Sequence, residues 1–230
     1  MRAKVTANMP PTTFALVGQK GGAGKTTLAI CLAAELHRRG LRVLLVDADP
    51  QASARTWAQV ATEAGRDVPS CIAMGAGLHK PGQLDRVAQA FDLVLIDCPP
   101  RHDAIQRSAL MAADVAVLPC GPTPVDAWAL ASALELVEEA RTVRPALKSC
   151  IVMTRVQTNT RIAQSAREAL AEASTHVLVA ELGYRVAFQE ALAAGEGVTT
   201  FADSDAAAGE LVAVCDELMR FAKLKARGRA

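Results

Sequence analysis

Short apolar runs alternate with longer amphipathic stretches along most of the chain. The runs at 43–46 and 93–96 read Val-Leu-Leu-Val and Leu-Val-Leu-Ile, continuous apolar sequences typical of strands buried on both faces. Between such runs the apolar residues recur at helical spacing, as Leu28, Leu32 and Leu36 do. The alternation predicts an α/β fold with a single doubly wound, mostly parallel sheet flanked by helices.

The same pattern sets the predicted boundaries of the elements. Strands are predicted at 14–17, 43–46, 71–74, 93–96, 114–118, 149–154 and 176–181. Helices are predicted at 27–39, 52–62, 82–90, 103–112, 125–141, 160–173, 186–194 and 204–224. These elements leave residues 1–12 as a flexible N-terminal tail, 13–224 as one domain and 225–230 as a basic C-terminal tail.

A glycine-rich segment joins the first predicted strand to the first predicted helix. Residues 19–27 read Gln-Lys-Gly-Gly-Ala-Gly-Lys-Thr-Thr, and such a turn aims several backbone N–H groups at one point, where they can surround a phosphate. Lys25 is placed to reach the β- and γ-phosphates of a nucleotide, and the Thr26 hydroxyl can ligate Mg²⁺. Compared with the usual form of this loop, the segment has Gln19 in place of a glycine and gains a second lysine, Lys20. The predicted phosphate-binding residues are Lys20, Gly21, Gly22, Ala23, Gly24, Lys25, Thr26 and Thr27.

Polar clusters follow three of the predicted strands, at the edge where parallel sheets bind ligands. Asp47 and Asp49 follow the second strand, Asp97 follows the strand at 93–96, and the segment 154–157 closes the strand at 149–154. A carboxylate after four apolar strand residues, beside a phosphate loop, is the expected partner of Mg²⁺, directly or through water. Asp97 fits that role, so the sequence predicts a nucleotide–magnesium site.

The residues after the strand at 149–154 indicate which base is bound. GTP-binding proteins of this general kind use an aspartate there, whose carboxylate accepts two guanine N–H groups. This chain instead has Thr154, Arg155, Val156 and Gln157. Guanine then gains no advantage, because selectivity comes from pairing buried polar groups. ATP is therefore the predicted nucleotide, with Thr154 and Arg155 on its adenine side.

Composition narrows the classes of protein. The net charge is only +1, so a nucleic-acid contact would need a local basic patch. Hydrophobic residues make up 51% of the chain, yet no apolar run has the length of a membrane span. The six cysteines are scattered, mostly among apolar neighbours and without paired metal-ligand spacing, which predicts reduced thiols in a cytoplasmic protein.

Three motifs together carry a resemblance to a known family. The Lys-Gly-Gly-x-Gly-Lys-Thr loop, Val-Asp-x-Asp-Pro-Gln at 46–51 and Asp-Cys-Pro-Pro at 97–100 resemble the ParA/MinD family of deviant Walker ATPases, from about residue 13 to 222. The chain is most similar to the short ParA-type partition ATPases that lack an N-terminal DNA-binding domain. The stretches 184–191 and 206–210 are also similar to that group.

The resemblance implies a mechanism and partners. Two subunits would form a homodimer around two ATP molecules, with Lys20 of each subunit reaching the phosphates bound by the other. Asp49 would orient or activate the attacking water, and Asp47 would support the Mg²⁺ shell. The implied catalytic residues are then Lys20, Lys25 and Asp49, and the implied metal-site residues are Thr26, Asp47 and Asp97. Intrinsic ATP hydrolysis would be weak and would be stimulated by a ParB-like or adaptor protein.

Non-specific DNA binding is a further implication of the resemblance. The ATP-bound dimer would associate with the nucleoid and would segregate or position a DNA or protein cargo. Candidate phosphate contacts are Arg185 and a basic cluster near the C-terminus, which comprises Arg220, Lys223, Lys225, Arg227 and Arg229. The stretch 210–217 lacks a basic residue where related proteins often carry one.

Three other interpretations stay open. A MinD-like membrane switch would need a terminal amphipathic helix, and the apolar stripe at 211–222 would suit either a membrane or packing on the sheet. An ATP-dependent biosynthetic ligase would share the phosphate loop but would not need Lys20. A nitrogenase-reductase-like protein would need cysteines at a subunit interface, for which Cys98 and Cys120 are the candidates.

Overall fold

A parallel sheet of seven strands runs through the computed structural model, which describes residues 10–157, 160–171, 173–201 and 205–224. The strands are β1 (Thr12–Leu16), β2 (Val43–Asp47), β3 (Ser70–Ala73), β4 (Leu93–Asp97), β5 (Val115–Cys120), β6 (Lys148–Met153) and β7 (His176–Val177). The helices are α1 (Lys25–Arg38), α2 (Ser53–Glu63), α3 (Leu84–Ala88), α4 (Asp103–Ala112), α5 (Pro124–Val143), α6 (Arg161–Ala171), α7 (Val186–Ala193) and α8 (Asp205–Ala222).

Strand β1 lies at the point where the strand order of the sheet reverses. The order is β3-β2-β4-β1-β5-β6-β7, and every pair of neighbours is parallel. The chain therefore builds one half of the sheet from β2, β3 and β4 and then crosses to the other side of β1. Ligands bind at such a switch point, beyond the carboxyl ends of the strands. The doubly wound parallel fold predicted from the sequence is confirmed.

Each face of the sheet is covered by its own apolar core. In β1, Phe14 and Leu16 point into one core, whereas Ala15 points into the other. The first core is closed by α1, α2, α7 and α8, and the second by α3, α4, α5 and α6. Burial on both faces explains why the strands are continuous apolar runs rather than alternating ones. Among the described residues, no helix combines the length and the apolar character needed to cross a membrane.

Two predicted elements are longer than the observed ones. The strand predicted at 176–181 is wrong beyond Val177. The Leu178 N–H still donates to Ile151 of β6 over 2.9 Å, but those of Val179 and Ala180 donate instead to the Glu217 carboxylate of α8, over 2.9 and 2.8 Å. The helix predicted at 82–90 shortens to α3, since Gly82 adopts a left-handed φ of 81° before it.

The predicted domain limits fall partly outside the described residues. Residues 1–9 and the tail 225–230 are not described, and Thr12, which was assigned to the N-terminal tail, is the first residue of β1. At the other end, α8 ends at Ala222, and Lys223 adopts a left-handed φ of 60°.

A buried ionic cluster joins the end of α1 to α8. Glu35 is fully buried, and its carboxylate accepts hydrogen bonds from Arg38 Nε at 2.7 Å and Arg39 Nε at 2.6 Å. Burial alone would raise the pKa of Glu35, but the two arginines hold it below its usual value. Arg39 also donates to Asp216 of α8 over 2.5 Å. The cluster therefore connects the two helices through paired charges.

Candidate functional site

The phosphate loop lies between β1 and α1, as the sequence predicts. Gly22 and Gly24 have φ values of 75° and 86°, which glycine adopts without the steric cost that a Cβ would bring. Gly24 is the residue that precedes the first turn of α1, and no side chain caps it. The free N–H groups and positive dipole end of α1 thus face the loop, an arrangement suited to an anion.

Side chains at the end of β6 hold this loop in place. The buried Thr154 hydroxyl donates to the Ala23 carbonyl over 2.9 Å, and Arg155 Nη1 donates to the Gly22 carbonyl over 2.5 Å. Arg155 adopts a left-handed φ of 57°, a strained conformation for a side chain of this size. Both residues line the cavity described below, where the Thr154 hydroxyl and Arg155 Nη1 are engaged by the loop. Their predicted contact with adenine stays a prediction.

Lys25 is buried at the base of the loop. Its Nζ donates to the Lys20 carbonyl over 3.0 Å, and the residue is 6% exposed. Burial lowers the pKa of Lys25, whereas the nearby charges of Asp97 and Asp49 act in the opposite direction. The ammonium is therefore fixed close to two acidic groups, at the position from which it would reach a bound phosphate.

Asp97 is the least satisfied polar group of the site. It is fully buried, and neither carboxylate oxygen has a hydrogen-bond partner in the described part of the chain. Burial, with smaller effects from the charges of Asp47 and Asp49, raises the pKa of Asp97 to about 7 against the opposing effects of Thr26 and Lys25. A buried carboxylate without partners is costly unless a cation approaches it. The donor set of Asp97 and Thr26 therefore fits Mg²⁺.

Asp47 lies beside Asp97 in the sheet but has a different environment. The two residues are partners in the parallel register of β2 and β4. The Asp47 carboxylate accepts the backbone N–H of Asp49 at 3.1 Å and that of Arg55 at 2.9 Å. It thereby fixes the loop that leads into α2. Its predicted support of the metal shell remains a prediction.

Asp49 borders the cavity. One of its oxygens accepts the backbone N–H of Gln51 at 2.9 Å, and the residue is partly exposed. This turn holds the carboxylate near the phosphate loop, where a water molecule could be oriented.

Lys20 is held by an acidic residue of its own chain. Its Nζ lies 2.6 Å from Asp126 Oδ1 in the first turn of α5. Burial alone would raise the pKa of Asp126, but hydrogen bonds from Lys20 and Thr123 bring it below its usual value. A Cβ on Gly121 would lie 2.5 Å from Asp126 Oδ2, so this carboxylate needs a glycine beside it. Lys20 therefore lies away from the cavity, in a built acidic socket.

An open cavity of about 540 Å³ lies beside the loop. It is lined by six of the eight predicted loop residues, Gly21, Gly22, Gly24, Lys25, Thr26 and Thr27, but not by Lys20 or Ala23. Its opposite wall is the segment 182–185, continued by Phe188 and Gln189 of α7. The volume is in the range of small-molecule and cofactor sites.

The wall at 182–185 is the part of the site that sequence reasoning missed. Tyr184 is the single tyrosine of the chain and is 59% exposed at the edge of the cavity. The sequence marks this stretch only by its resemblance to partition ATPases. The available signal was its place after β7, at the same edge of the sheet as the other clusters.

The predicted DNA contacts do not form one surface in the described residues. Arg185 lines the cavity and donates to the Glu210 carboxylate of α8. Arg220 and Lys223 are exposed at the end of α8, and Lys225 with the two arginines after it lies outside the described residues. The DNA contact of Arg220, Lys223 and Lys225 stays a prediction, whereas the charge of Arg185 is already paired.

Two of the alternative interpretations lose their structural basis. Leu211, Val214 and Leu218 of the apolar stripe are buried in the core between α8 and the sheet, so they are not available to a membrane. Cys98 and Cys120 are 1% and 2% exposed, and burial raises the pKa of both thiols, that of Cys120 to about 12. Neither cysteine faces a surface where a second subunit could share a cluster.

Comparison with known proteins gives one family and several relatives. The model described as the CobQ/CobB/MinD/ParA nucleotide binding domain matches residues 14–198. The maintenance of carboxysome distribution protein A of Halothiobacillus neapolitanus is 32% identical over 213 residues, which cover 90% of this chain and 96% of that protein. The chromosome-partitioning ATPase Soj of Thermus thermophilus is 34% identical over 192 residues, which cover 71% of this chain and 75% of that protein.

A solved structure shares the fold. The ATP complex of a McdA variant from Cyanothece superposes with a TM-score of 0.70 at 18% identity, covering 91% of this chain and 96% of that one.

The charge of Asp97 should make the protein less stable as the pH rises. The unfolded chain releases this proton near the ordinary pKa of 3.8, whereas the folded protein keeps it up to about 7. Stability is therefore lost between these two values, and the loss persists above them. Without Mg²⁺, we expect Asp97→Asn to stabilise the protein by about 2–3 kcal/mol more at pH 8 than at pH 5, measured by urea unfolding.

Glu135→Gln is the matched control, because Glu135 is an exposed carboxylate on α5. The control should show no comparable difference between the two pH values. Added Mg²⁺ should stabilise the wild type at pH 8 but not Asp97→Asn. An equal effect of Asp97→Asn at both pH values would contradict this account of the buried carboxylate.

Proposed function

The chain belongs to the CobQ/CobB/MinD/ParA nucleotide-binding family, and we propose from this that it is a ParA/MinD-type positioning ATPase that binds and slowly hydrolyses ATP with Mg²⁺. The observation that carries the proposal is the buried Asp97 carboxylate near Thr26 at the foot of the phosphate loop, whose oxygens have no hydrogen-bond partner within the described ranges. A metal–nucleotide complex would supply the missing charge.

The phosphate loop and the acidic residues near it have separate roles in the proposed ATP hydrolysis. The backbone of the loop and Lys25 bind the phosphates, and Thr26 and Asp97 hold the metal, with Asp47 fixing the loop beside them. Bound Mg²⁺ would neutralise charge on the phosphates. Asp49 orients the attacking water. Because this reaction depends on positioning and electrostatics, slightly imprecise positioning of the reacting groups makes hydrolysis slow. Slow hydrolysis suits a switch.

Dimerisation on ATP would bring Lys20 into use. Within one chain Lys20 is held by Asp126, away from the cavity. In the homodimer its ammonium leaves this socket and approaches the triphosphate of the partner subunit. The lysine then exchanges the Asp126 carboxylate for the triphosphate, so the dimer forms only when ATP is bound.

The relatives suggest the cellular task. One is named for carboxysome distribution and the other for chromosome partitioning. By analogy, the ATP-bound dimer binds DNA non-specifically in the cytoplasm, on the nucleoid, and spaces or segregates a large cargo. A ParB-like or adaptor protein stimulates hydrolysis and releases the dimer. Arg220, Lys223 and Lys225 are the basic residues we assign to DNA phosphates, with binding that weakens as salt rises.

Replacing Lys25 tests whether the loop binds ATP. Lys25→Ala removes a buried charged donor to phosphate. This variant should bind Mg·ATP roughly 10- to 100-fold more weakly than the wild type in isothermal titration calorimetry. Lys80→Ala is the control, since Lys80 is exposed and lies outside the cavity. Unchanged affinity in Lys25→Ala would remove the assignment of the site.

Replacing Asp49 tests its role toward water. Asp49→Ala should bind ATP with near wild-type affinity but should release phosphate at least about tenfold more slowly, because an oriented general base contributes that much or more. The ATP-bound dimer should accumulate. Asp67→Ala serves as the exposed control. Normal turnover in a phosphate-release assay would exclude Asp49 from the reaction.

Two variants at the lysine socket test the dimer. In the Asp49→Ala background, size-exclusion chromatography with light scattering should show an ATP-dependent dimer. Adding Lys20→Ala should leave the protein monomeric while it still binds ATP. Adding Asp126→Asn should instead lower the ATP concentration needed for the dimer, because the lysine is held less tightly. If Lys20→Ala dimerised to the same extent, the role across the interface would be refuted.

A further inference from the structure

The wall of the cavity at 182–185 is fastened by side chains of α8 rather than by the sheet alone. After β7 ends, the backbone N–H groups of Val179 and Ala180 donate to Glu217, and that of Gly183 donates to Glu210 Oε2 over 2.9 Å. The two glutamates are seven residues apart on α8, which puts both carboxylates on the same face of the helix. A pair of acidic side chains thus takes the place of missing strand partners.

Glu210 makes more contacts than backbone support requires. Besides Gly183, its carboxylate accepts Arg185 Nε at 3.0 Å to both oxygens and Arg185 Nη2 at 2.6 Å. One carboxylate therefore holds the residues on both sides of Tyr184. The Tyr184 backbone N–H donates to the Val156 carbonyl over 3.0 Å, which ties the middle of the turn to the end of β6.

The fit between this turn and Glu210 is tight. A Cβ on Gly183 would lie 3.2 Å from each Glu210 oxygen and 3.2 Å from Arg185 Nε. Glycine therefore lets the carboxylate approach the backbone closely. Leu182, just before it, is 4% exposed and donates its N–H to the Met153 carbonyl over 2.9 Å. The segment is fixed to the sheet at Leu182 and to α8 at Gly183 and Arg185.

The fastened residues line the cavity, whereas the fastening residue does not. Leu182, Gly183, Tyr184 and Arg185 are all in the cavity wall, and Glu210 lies behind them. Both ends of the ion pair are partly exposed, at 38% for Arg185 and 23% for Glu210, and such pairs contribute little to overall stability. What the pair provides is a wall that is already ordered before a ligand arrives.

We infer that Glu210 is a positioning residue for the nucleotide, which fixes the turn 182–185 and directs Arg185 to the cavity through the Glu210–Arg185–Gly183 contacts. Arg185 thereby serves the nucleotide and not DNA. The inference deepens the proposed function and rests on ATP being the ligand of this cavity. It also gives α8 a part in setting nucleotide affinity.

The experiment compares Glu210→Ala with Glu217→Ala, a matched control on the same helix that also loses N–H acceptors but lies behind residues outside the cavity wall. Mg·ATP affinity is measured by calorimetry and Tm by scanning calorimetry. We expect the dissociation constant to rise about tenfold in Glu210→Ala and to stay near the wild-type value in Glu217→Ala, with similar Tm changes in both. The conservative variant Glu210→Gln, which keeps an acceptor oxygen for the Gly183 N–H and for Arg185, should retain most of the affinity that Glu210→Ala loses.

Hydrogen–deuterium exchange without nucleotide gives a second readout. Peptides covering 182–185 should exchange faster in Glu210→Ala than in the wild type or in Glu217→Ala. If wild-type protein bound no ATP, the proposed function would fall, while this exchange pattern would still decide whether Glu210 fixes the turn. If wild-type protein bound ATP and Glu210→Ala bound it equally well, the inference itself would be overturned.

Two other results would also overturn the inference. Equal loss of ATP affinity in both alanine variants would assign the effect to general loosening of α8. Unchanged ATP affinity with stronger binding of arbitrary duplex DNA by Glu210→Ala would show that Glu210 restrains Arg185 as a DNA contact.

Discussion

The site is organised around two carboxylates that the sheet forces together. Parallel pairing of β2 and β4 makes Asp47 and Asp97 direct neighbours at the carboxyl edge, where like charges repel. The fold satisfies Asp47 with two backbone N–H groups and leaves Asp97 without a partner in the described residues. Asp47 therefore fixes a loop, whereas the Asp97 carboxylate would be stabilised by a bound cation. Lys25 and Thr26 already lower the pKa of Asp97 in part.

The loop owes its shape to contacts from several elements. Glycines at two left-handed positions allow its path, but Thr154 and Arg155 from β6 hold its carbonyl groups. The two residues predicted to contact the base thus also fix the loop. Because the same two residues border the cavity, the geometry of the phosphate-binding backbone and the shape of the nearby wall are not independent of each other.

Much of this could be predicted from the sequence, for identifiable reasons. Continuous apolar runs report burial on both faces, and a parallel sheet collects strand ends at one edge. The fold and the grouping of Asp49 and Asp97 around Lys25 could therefore be predicted. Pairings between distant side chains could not be predicted. Neither the Lys20–Asp126 pair nor the Glu210–Arg185 pair has a local signature, since each depends on how helices pack.

The buried cluster at Glu35 links the two sides of the cavity. Helix α1 starts at the phosphate loop and is followed directly by Arg39, which contacts both Glu35 and Asp216 of α8. Helix α8 also carries Glu210, which secures the far wall. The phosphate loop and the cavity wall are thus connected through α1, the Glu35 cluster and α8. A substitution in the Glu35 cluster should therefore alter both sides of the proposed nucleotide site.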